Sequence, residues 1–142
     1  MIDFSSGRDL ARKMLDLSLP DAEFRHRQHL ELAYYYLVRH DCDVATRLVA
    51  ISVRDFAASK GKTNKFHLTL TGCWTRLVAA AVHAHTPIPS FEQVLALHPD
   101  LLDKDLPAAY YSKSLLSSQV ARDSFIDSDI HPLPEIRGTQ VS

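Results

Sequence analysis

The stretch Phe24–Val38 reads F-R-H-R-Q-H-L-E-L-A-Y-Y-Y-L-V and has the periodicity of an amphipathic helix. At ~100° per residue, four of its residues share one stripe of the helix surface: His26, Leu30, Ala33 and Leu37. His29 lies about one-sixth of a turn from that stripe, and charged residues fill much of the remaining arc. This spacing predicts a helix that carries two histidines on or beside the face that packs into the core.

Helical periodicity continues on both sides of this stretch, and no segment shows sustained alternation with period two. The predicted helices are Arg8–Leu17 behind a Ser6 cap; one from Pro20 and Asp21 to about Arg39; Val44–Ser59, capped by Asp43 and closed by Gly61; one from Thr63 or Asn64 to before Pro87; Phe91–Leu97, with Ser90 and Gln93 as a capping box; and Ser112–Phe125, broken near Ser117 and Ser118. The pattern therefore predicts an all-α protein.

The size and composition are those of one globular domain. The chain has 142 residues, of which 46% are hydrophobic and 23% are charged. We expect a single helical domain over residues 1–142, with a core of about 8–126 and an extended tail at 129–142. The Pro-punctuated segment Pro107–Asp129 is expected to pack over one end of the bundle. Six residues are expected in the core: Leu30, Leu37, Leu48, Ile51, Trp74 and Val78.

Several classes of function do not fit this composition. A net charge of −1 provides no basic field for a nucleic-acid backbone. The longest apolar run, Leu77–Val82, is far shorter than a membrane span. The first residues do not resemble a secretory signal, and Cys42 and Cys73 lack the spacing of a disulfide framework or a redox motif. We therefore expect a cytoplasmic protein with reduced thiols, no nucleic-acid partner and no membrane partner.

Three histidines are predicted to meet at one end of the bundle. On the fourth predicted helix, His67 shares a stripe with Thr71 and Trp74, so it also points toward the core. The loops around the third helix are short, which predicts that helices two, three and four run up, down and up. His26 and His29 near the start of one helix would then lie beside His67 near the start of another.

Imidazole groups that converge between helices are typical of a metal centre. A set of His26, His29 and His67 suits one divalent or redox ion (Fe, Cu or Zn) and leaves a coordination position open. Asp55, near the end of the third helix, is a candidate fourth ligand or an acceptor for a ligand's second ring nitrogen. The leading hypothesis is therefore a metalloenzyme of unassigned reaction class that acts on a small molecule.

Three further residues are candidates for catalytic or substrate contacts. The phenol of Tyr34 is a candidate proton donor, although packing at an interface is the simpler interpretation. Thr71 is a candidate for orienting a liganding imidazole, although a hydroxyl there most simply bonds to the preceding helical turn. Arg122 is a candidate for binding a substrate carboxylate, although a surface ion pair is the commoner role. Tyr110 and Tyr111 are expected to shape the pocket.

Two other classes of function remain open. The same pocket in a metal-free helical binding or interaction module would hold an organic ligand. In a metal-free acid/base enzyme, His26 or His67 would act as the general base. Each histidine alone is most simply a hydrogen-bonded core residue. Metal content and the positions of the ring nitrogens distinguish these hypotheses.

The runs F-R-H-R-Q-H-L at Phe24–Leu30 and K-F-H-L-T-L-T at Lys65–Thr71 resemble motifs of a family of small, uncharacterised all-α bacterial proteins. The segment Tyr110–Pro134 is similar to the C-terminal part of the same family, so the resemblance covers most of the chain after residue 22. The family commonly has Asp and Glu where this chain has Gln28 and Leu68. The resemblance implies an all-α fold and supplies no activity.

Overall fold

The computed structural model describes residues 2–136, and its regular secondary structure is entirely helical. The seven α-helices of this part are α1 Ser5–Leu15, α2 His26–Leu37, α3 Cys42–Ser59, α4 Leu68–His83, α5 Phe91–Leu97, α6 Lys113–Leu116 and α7 Gln119–Asp123. Single 3-10 turns form at Asp21–Glu23, Thr63–Lys65, Pro99–Leu102 and Leu106–Ala109. The all-α prediction is confirmed. Of the predicted tail, residues 129–136 form no helix, and 137–142 lie outside the described residues.

Helix α2 begins at His26, five residues after the predicted start. Pro20 and Asp21 open the 3-10 turn instead, and the chain leaves helical geometry at Phe24 and becomes extended at Arg25. The side chain of Gln28 then accepts a hydrogen bond of 3.0 Å from the backbone N–H of Arg25. A helix N-terminus needs such acceptors for its free N–H groups, so Gln28 has a structural role at this start.

Helix α3 begins at Cys42, two residues before its predicted start at Val44. Asp41, and not Asp43, accepts the backbone N–H of Val44 at 2.9 Å. At the other end Ser59 is the last helical residue and Gly61 has a φ of +69°. The predicted helix stop at Gly61 is therefore confirmed. A residue with left-handed backbone conformation often follows the end of a helix, and glycine adopts this conformation most easily.

Helix α4 begins at Leu68 because a 3-10 turn occupies the predicted start at Thr63 and Asn64. Its cap is the side chain of His67, which accepts the N–H of Leu70. Helix α5 matches its prediction in full, with Ser90 and Gln93 exchanging the two hydrogen bonds of a capping box. The sequence therefore predicts the start of α5 more accurately than the start of α4. Serine is a common N-terminal cap residue, whereas histidine is not.

The core lies where α1, α2, α3 and α4 pack together, and α2 and α4 contribute most of its buried residues. Leu30, Leu37, Trp74 and Val78 are buried as predicted, and Leu48 is partly buried. The prediction for Ile51 is wrong, because its side chain is 43% exposed. The face of α3 that enters the core carries Ala45, Val49, Ser52 and Phe56. Helix α3 is therefore rotated from the predicted orientation.

The C-terminal third packs along α4, and its placement over one end of the bundle stays a prediction. The hydroxyl of Thr69 donates to the carbonyl of Ser124 at 2.6 Å and accepts the N–H of Ile126 at 3.1 Å. A Cβ at Gly72 would overlap the ring of Phe125, so only glycine permits this close approach. The predicted break is confirmed, since α6 ends at Leu116 and α7 begins at Gln119. Within residues 2–136, no helix is long and apolar enough to cross a membrane.

Trp74 provides a test of the orientation of α4. The side chain is 6% exposed and its indole lies against the ring of His26, with centroids 4.4 Å apart. We expect Trp74→Ala to lower the free energy of unfolding by roughly 3–5 kcal/mol through lost burial and the space left behind, measured by chemical denaturation and circular dichroism. Trp74→Phe is the matched control and should lose less. A near-neutral Trp74→Ala would contradict the packing of α4.

Candidate functional site

A cavity of ≈ 570 Å³ lies where the start of α2, the last turns of α3 and the start of α4 meet. These three helix ends are the ones that the up-down-up topology predicts at one end of the bundle. The volume is within the range of small-molecule sites, which is roughly 300–1,000 Å³. His29 and His67 both line this cavity. The cavity is therefore the candidate functional site.

Aromatic side chains form much of the cavity wall. They are Phe24, Phe56, Phe66 and Trp74. The rings of Phe24 and Phe56 are tilted against each other with centroids 5.4 Å apart. Phe56 and Trp74 are buried, whereas Phe24 and Phe66 are half-buried at the cavity. Such a wall favours the flat or apolar part of a ligand, because aromatic groups contact each other favourably over large areas.

Positive charge surrounds the cavity opening. Arg25 and Lys65 are exposed residues of its lining, and Lys62 is half-buried. The acidic side chain of the lining is Asp21, which forms an ion pair with Lys62. This ion pair lowers the pKa of Asp21 from its usual value. The lining thus carries an excess of positive charge, although the chain as a whole has a net charge of −1.

His29 is the unsatisfied polar group of this site. The residue is partly exposed, but Nε2 is buried and has no hydrogen-bond partner among residues 2–136. The ring stacks on Phe24, with centroids 5.9 Å apart. Burial, with a smaller contribution from the nearby His26, lowers the pKa of His29 to about 4. The imidazole is therefore neutral at physiological pH.

His67 is a structural residue, and both of its ring nitrogens have partners. Nδ1 accepts the backbone N–H of Leu70 at 3.1 Å, so the proton of the neutral ring is on Nε2. Nε2 donates it to the carbonyl of Leu116 at 2.8 Å. One imidazole therefore caps α4 and fixes the C-terminal segment against it. The ring has no lone pair left for a metal ion or for accepting a substrate proton.

His26 is also bonded to a carbonyl group. Its Nε2 donates to the carbonyl of Leu101 at 2.8 Å. With His29 it borders a second depression, of ≈ 450 Å³, which Phe24, Arg25 and Lys104 also line. His26 lies close enough to His29 to contribute to the lowered pKa of His29. The bond to Leu101 ties the 3-10 turn at Pro99–Leu102 to the start of α2.

The three-histidine metal centre stays a prediction. Within residues 2–136, no group of three His, Cys, Asp or Glu side chains has the arrangement of a metal site. For His67 to join His26 and His29 as a ligand, it would have to release Leu70 or Leu116. The same bonds prevent His67 from acting as a general base, because its one lone pair is already used.

Asp55 lies on the exposed face of α3, because the helix is rotated from its predicted orientation. Its carboxylate is 3.4 Å from the guanidinium of Arg54, and its side chain is 55% exposed. It is not part of the cavity lining. Surface ion pairs of this kind contribute little stability. The structure therefore does not bring Asp55 together with the histidines.

The three predicted catalytic candidates have partners within the protein. Tyr34 donates its hydroxyl proton to the carbonyl of Pro89 at 2.6 Å and does not line the cavity. Thr71 lines the cavity, but its hydroxyl bonds back to the carbonyl of His67 at 2.9 Å. Arg122 donates to the carbonyl of Asn64 at 2.7 Å. Thr71 makes the simpler contact predicted for it, whereas Arg122 bonds to carbonyl groups of the chain instead of forming the commoner surface ion pair.

The predicted pocket tyrosines lie elsewhere. Tyr111 is buried and donates its hydroxyl proton to the carbonyl of Ile126 at 2.7 Å. Burial raises its pKa to about 12. Neither Tyr110 nor Tyr111 lines the cavity. Their role is to hold the C-terminal segment in place.

The basic residues of the cavity were not predicted from the sequence. Arg25, Lys62 and Lys65 belong to two loops that precede helices, and their charges meet only in the folded chain. A usable signal was present, since Lys60, Lys62 and Lys65 are close together in the sequence beside Phe66. A run of charged residues is more often a solvated surface, however, and only the fold distinguishes the two cases.

No protein-family model matches the chain, and comparisons with curated proteins and with solved structures find no match. The function is therefore inferred from the cavity and its side chains.

The double role of His67 predicts a large loss of stability when its ring is removed. We expect His67→Leu to lower the free energy of unfolding by roughly 2–3 kcal/mol, from a lost helix cap and an unpaired carbonyl, measured by urea denaturation. His67→Asn is the matched variant, because asparagine is a good cap but is too short to reach Leu116. It should recover part of the loss. Equal stability of all three proteins would contradict this role.

The neutral state of His29 predicts how stability varies with pH. The pKa is about 4 in the folded chain and about 6.5 in the unfolded chain, so the unfolded state binds more protons between these values. Stability should fall as pH is lowered from 6.5 toward 4, by at most about 1.4 kcal/mol per pH unit from this group. His29→Leu is the control, and carboxylates contribute equally to both proteins. Parallel pH profiles for the two proteins would show that His29 is not buried in its neutral form.

Proposed function

We propose that the protein binds a small organic anion with an aromatic body in the cavity between α2, α3 and α4. The observation that carries this proposal is the combination of an aromatic wall, a basic rim and a buried imidazole nitrogen without a partner in one cavity. Each feature selects a different part of the ligand. Together they define its chemical class, although they do not identify the compound.

The aromatic wall supports a ligand with a flat, apolar body. Phe56 and Trp74 close the inner part of the cavity, and Phe24 and Phe66 stand nearer its opening. Each apolar Å² removed from water contributes roughly 25 cal/mol. A single aromatic ring is therefore enough for measurable binding, provided that its charged group is also accommodated.

The basic rim supports a carboxylate or phosphate on that body. The guanidinium of Arg25 and the ammonium of Lys65 stand at the opening without an acidic partner in the cavity lining. The ammonium of Lys62 is already paired with Asp21. Like-signed charges in a cleft raise the local concentration of oppositely charged ligands. An anion at the opening would relieve the repulsion among these cations.

His29 supports a hydrogen-bond donor on the ligand. The cost of burying a polar atom without a partner is about 1–3 kcal/mol. His29 lines the cavity, but its Nε2 is buried, so the ring would have to rotate for this nitrogen to face a bound molecule. With its own proton on Nδ1, the neutral imidazole then accepts a hydrogen bond through Nε2 from a hydroxyl or amide group of the ligand. A bound ligand would thus supply the hydrogen-bond partner that Nε2 of His29 lacks in the described part of the chain.

The chain contains a single tryptophan, Trp74, and it lines the cavity. Its fluorescence therefore reports binding without a label. We expect 3-phenylpropionate to change this fluorescence with a saturable concentration dependence. The uncharged 3-phenylpropionamide and the cationic 3-phenylpropylamine have the same body and should bind more weakly. This order follows from the charge of the rim.

Two variants and one control test the site itself. Lys65→Gln should weaken binding of 3-phenylpropionate about two- to five-fold, as expected for an exposed charge, and should not affect binding of the amide. His29→Leu should weaken binding of 3-phenyllactate, whose hydroxyl group supplies the donor that 3-phenylpropionate lacks, while leaving the free energy of unfolding at pH 7.5 equal or higher, because it removes an unpaired buried nitrogen. Arg47→Gln removes an exposed cation of α3 that is not in the cavity lining. If the three probes bind alike, or if Arg47→Gln has the same effect as Lys65→Gln, the proposal is wrong.

A further inference from the structure

A second pair of histidines meets at a site apart from the cavity. Nε2 of His85 lies 2.9 Å from Nε2 of His98, and the two ring centroids are 5.1 Å apart. His85 follows the last helical residue of α4 by two positions, and His98 is the residue that ends α5. Neither residue belongs to the site described above. The contact joins the ends of two helices through their side chains.

The partners of these two rings distinguish them from the other bonded histidines. In His26 and His67, Nε2 faces a carbonyl oxygen, which requires a proton on that nitrogen. In the second pair, nitrogen faces nitrogen, so only one of the two atoms carries the proton in the neutral state. The other atom directs a lone pair toward its neighbour. A cation can replace the proton between them.

We propose that His85 and His98 bind one divalent transition-metal ion, with Cu(II) bound most tightly. Neutral imidazole is a common ligand of such ions. Both residues are half-buried, so solvent can fill the remaining coordination positions. When both rings coordinate through Nε2, the proton shared between them moves to Nδ1 of its own ring. No other bond of the protein has to break.

The distance between the nitrogens is compatible with two neighbouring positions of a tetragonal ion. With metal–nitrogen bonds of ~2.0–2.1 Å, two atoms 2.9 Å apart subtend about 90° at the metal. That is the angle between neighbouring ligands of Cu(II) or Ni(II), which prefer tetragonal geometry. A tetrahedral Zn(II) site needs about 3.3 Å between the nitrogens. The rings now point nearly at each other, so each must tilt for its lone pair to face a common ion.

The Irving–Williams order predicts the relative affinities of this site for divalent metal ions. Cu(II) binds nitrogen sites more tightly than Ni(II) or Zn(II). With two protein ligands, the site should bind its ion reversibly. The ion would link the ends of α4 and α5, so it would bind the folded chain and not the unfolded chain. Ligands that bind only the native state stabilise it, and the ion should therefore raise the melting temperature.

The test is a titration of the full chain with CuCl₂ at pH 7.5. Visible absorption and electron paramagnetic resonance should show one Cu(II) per chain with nitrogen ligands. Loss of an outer-shell partner alone costs ~10–100-fold in metal affinity, so His85→Gln and His98→Gln should each weaken binding at least 10-fold. His40→Gln and His131→Gln are matched controls, because these histidines are exposed, and both should bind as the unmodified chain does.

A measurement on the unmodified chain removes the dependence on variants. Diamagnetic Zn(II) should shift the Nε2 resonances of two histidines, His85 and His98, in a proton–nitrogen spectrum of the imidazoles. Three results overturn the proposal: no binding of Cu(II), undiminished binding in either His85→Gln or His98→Gln, or loss of binding in His29→Leu. The last result would instead favour the three-histidine centre. Failure here leaves the organic-anion proposal unaffected, since the two sites share no residue.

Discussion

The two hydrogen bonds of His67 determine how the rest of the molecule is arranged. Through Nδ1 the ring sets the first residue of α4, and through Nε2 it holds the chain at Leu116. The start of α4 forms one wall of the cavity, and the segment after Leu116 covers α4 from outside. Because one buried ring satisfies two backbone groups that are 46 residues apart in sequence, a local element and a long-range contact depend on the same side chain.

This use of His67 accounts for the character of the cavity. The polar atoms of His67 and Thr71 are bonded within the protein, although both residues line the cavity. What remains is an aromatic wall with the unpartnered Nε2 of His29 and the cations of the rim. Burial keeps His29 neutral, so it does not add to the positive charge of Arg25 and Lys65. Charge is therefore confined to the opening, and hydrogen bonding to the interior.

The sequence predicts the helices well because periodicity is a local property. It predicts α5 with its N-terminal capping box, the stop at Gly61 and the break before Gln119. It fails at the starts of α2 and α4, where 3-10 turns compete for the same residues. It also fails for Ile51, since a rotation of α3 by a fraction of a turn exchanges exposed and buried positions. That rotation is set by packing against other helices, which no single segment encodes.

The histidines show why the site is harder to predict than the fold. Spacing places His26, His29 and His67 at one end of the bundle, but the chemistry of each depends on what its nitrogens contact. A carbonyl partner fixes a proton on the ring of His67, whereas Nε2 of His29 has no partner among residues 2–136. In His85 the partner is a second imidazole nitrogen, so only one of the two Nε2 atoms carries a proton. Identical side chains thus differ in function because their partners come from distant parts of the chain.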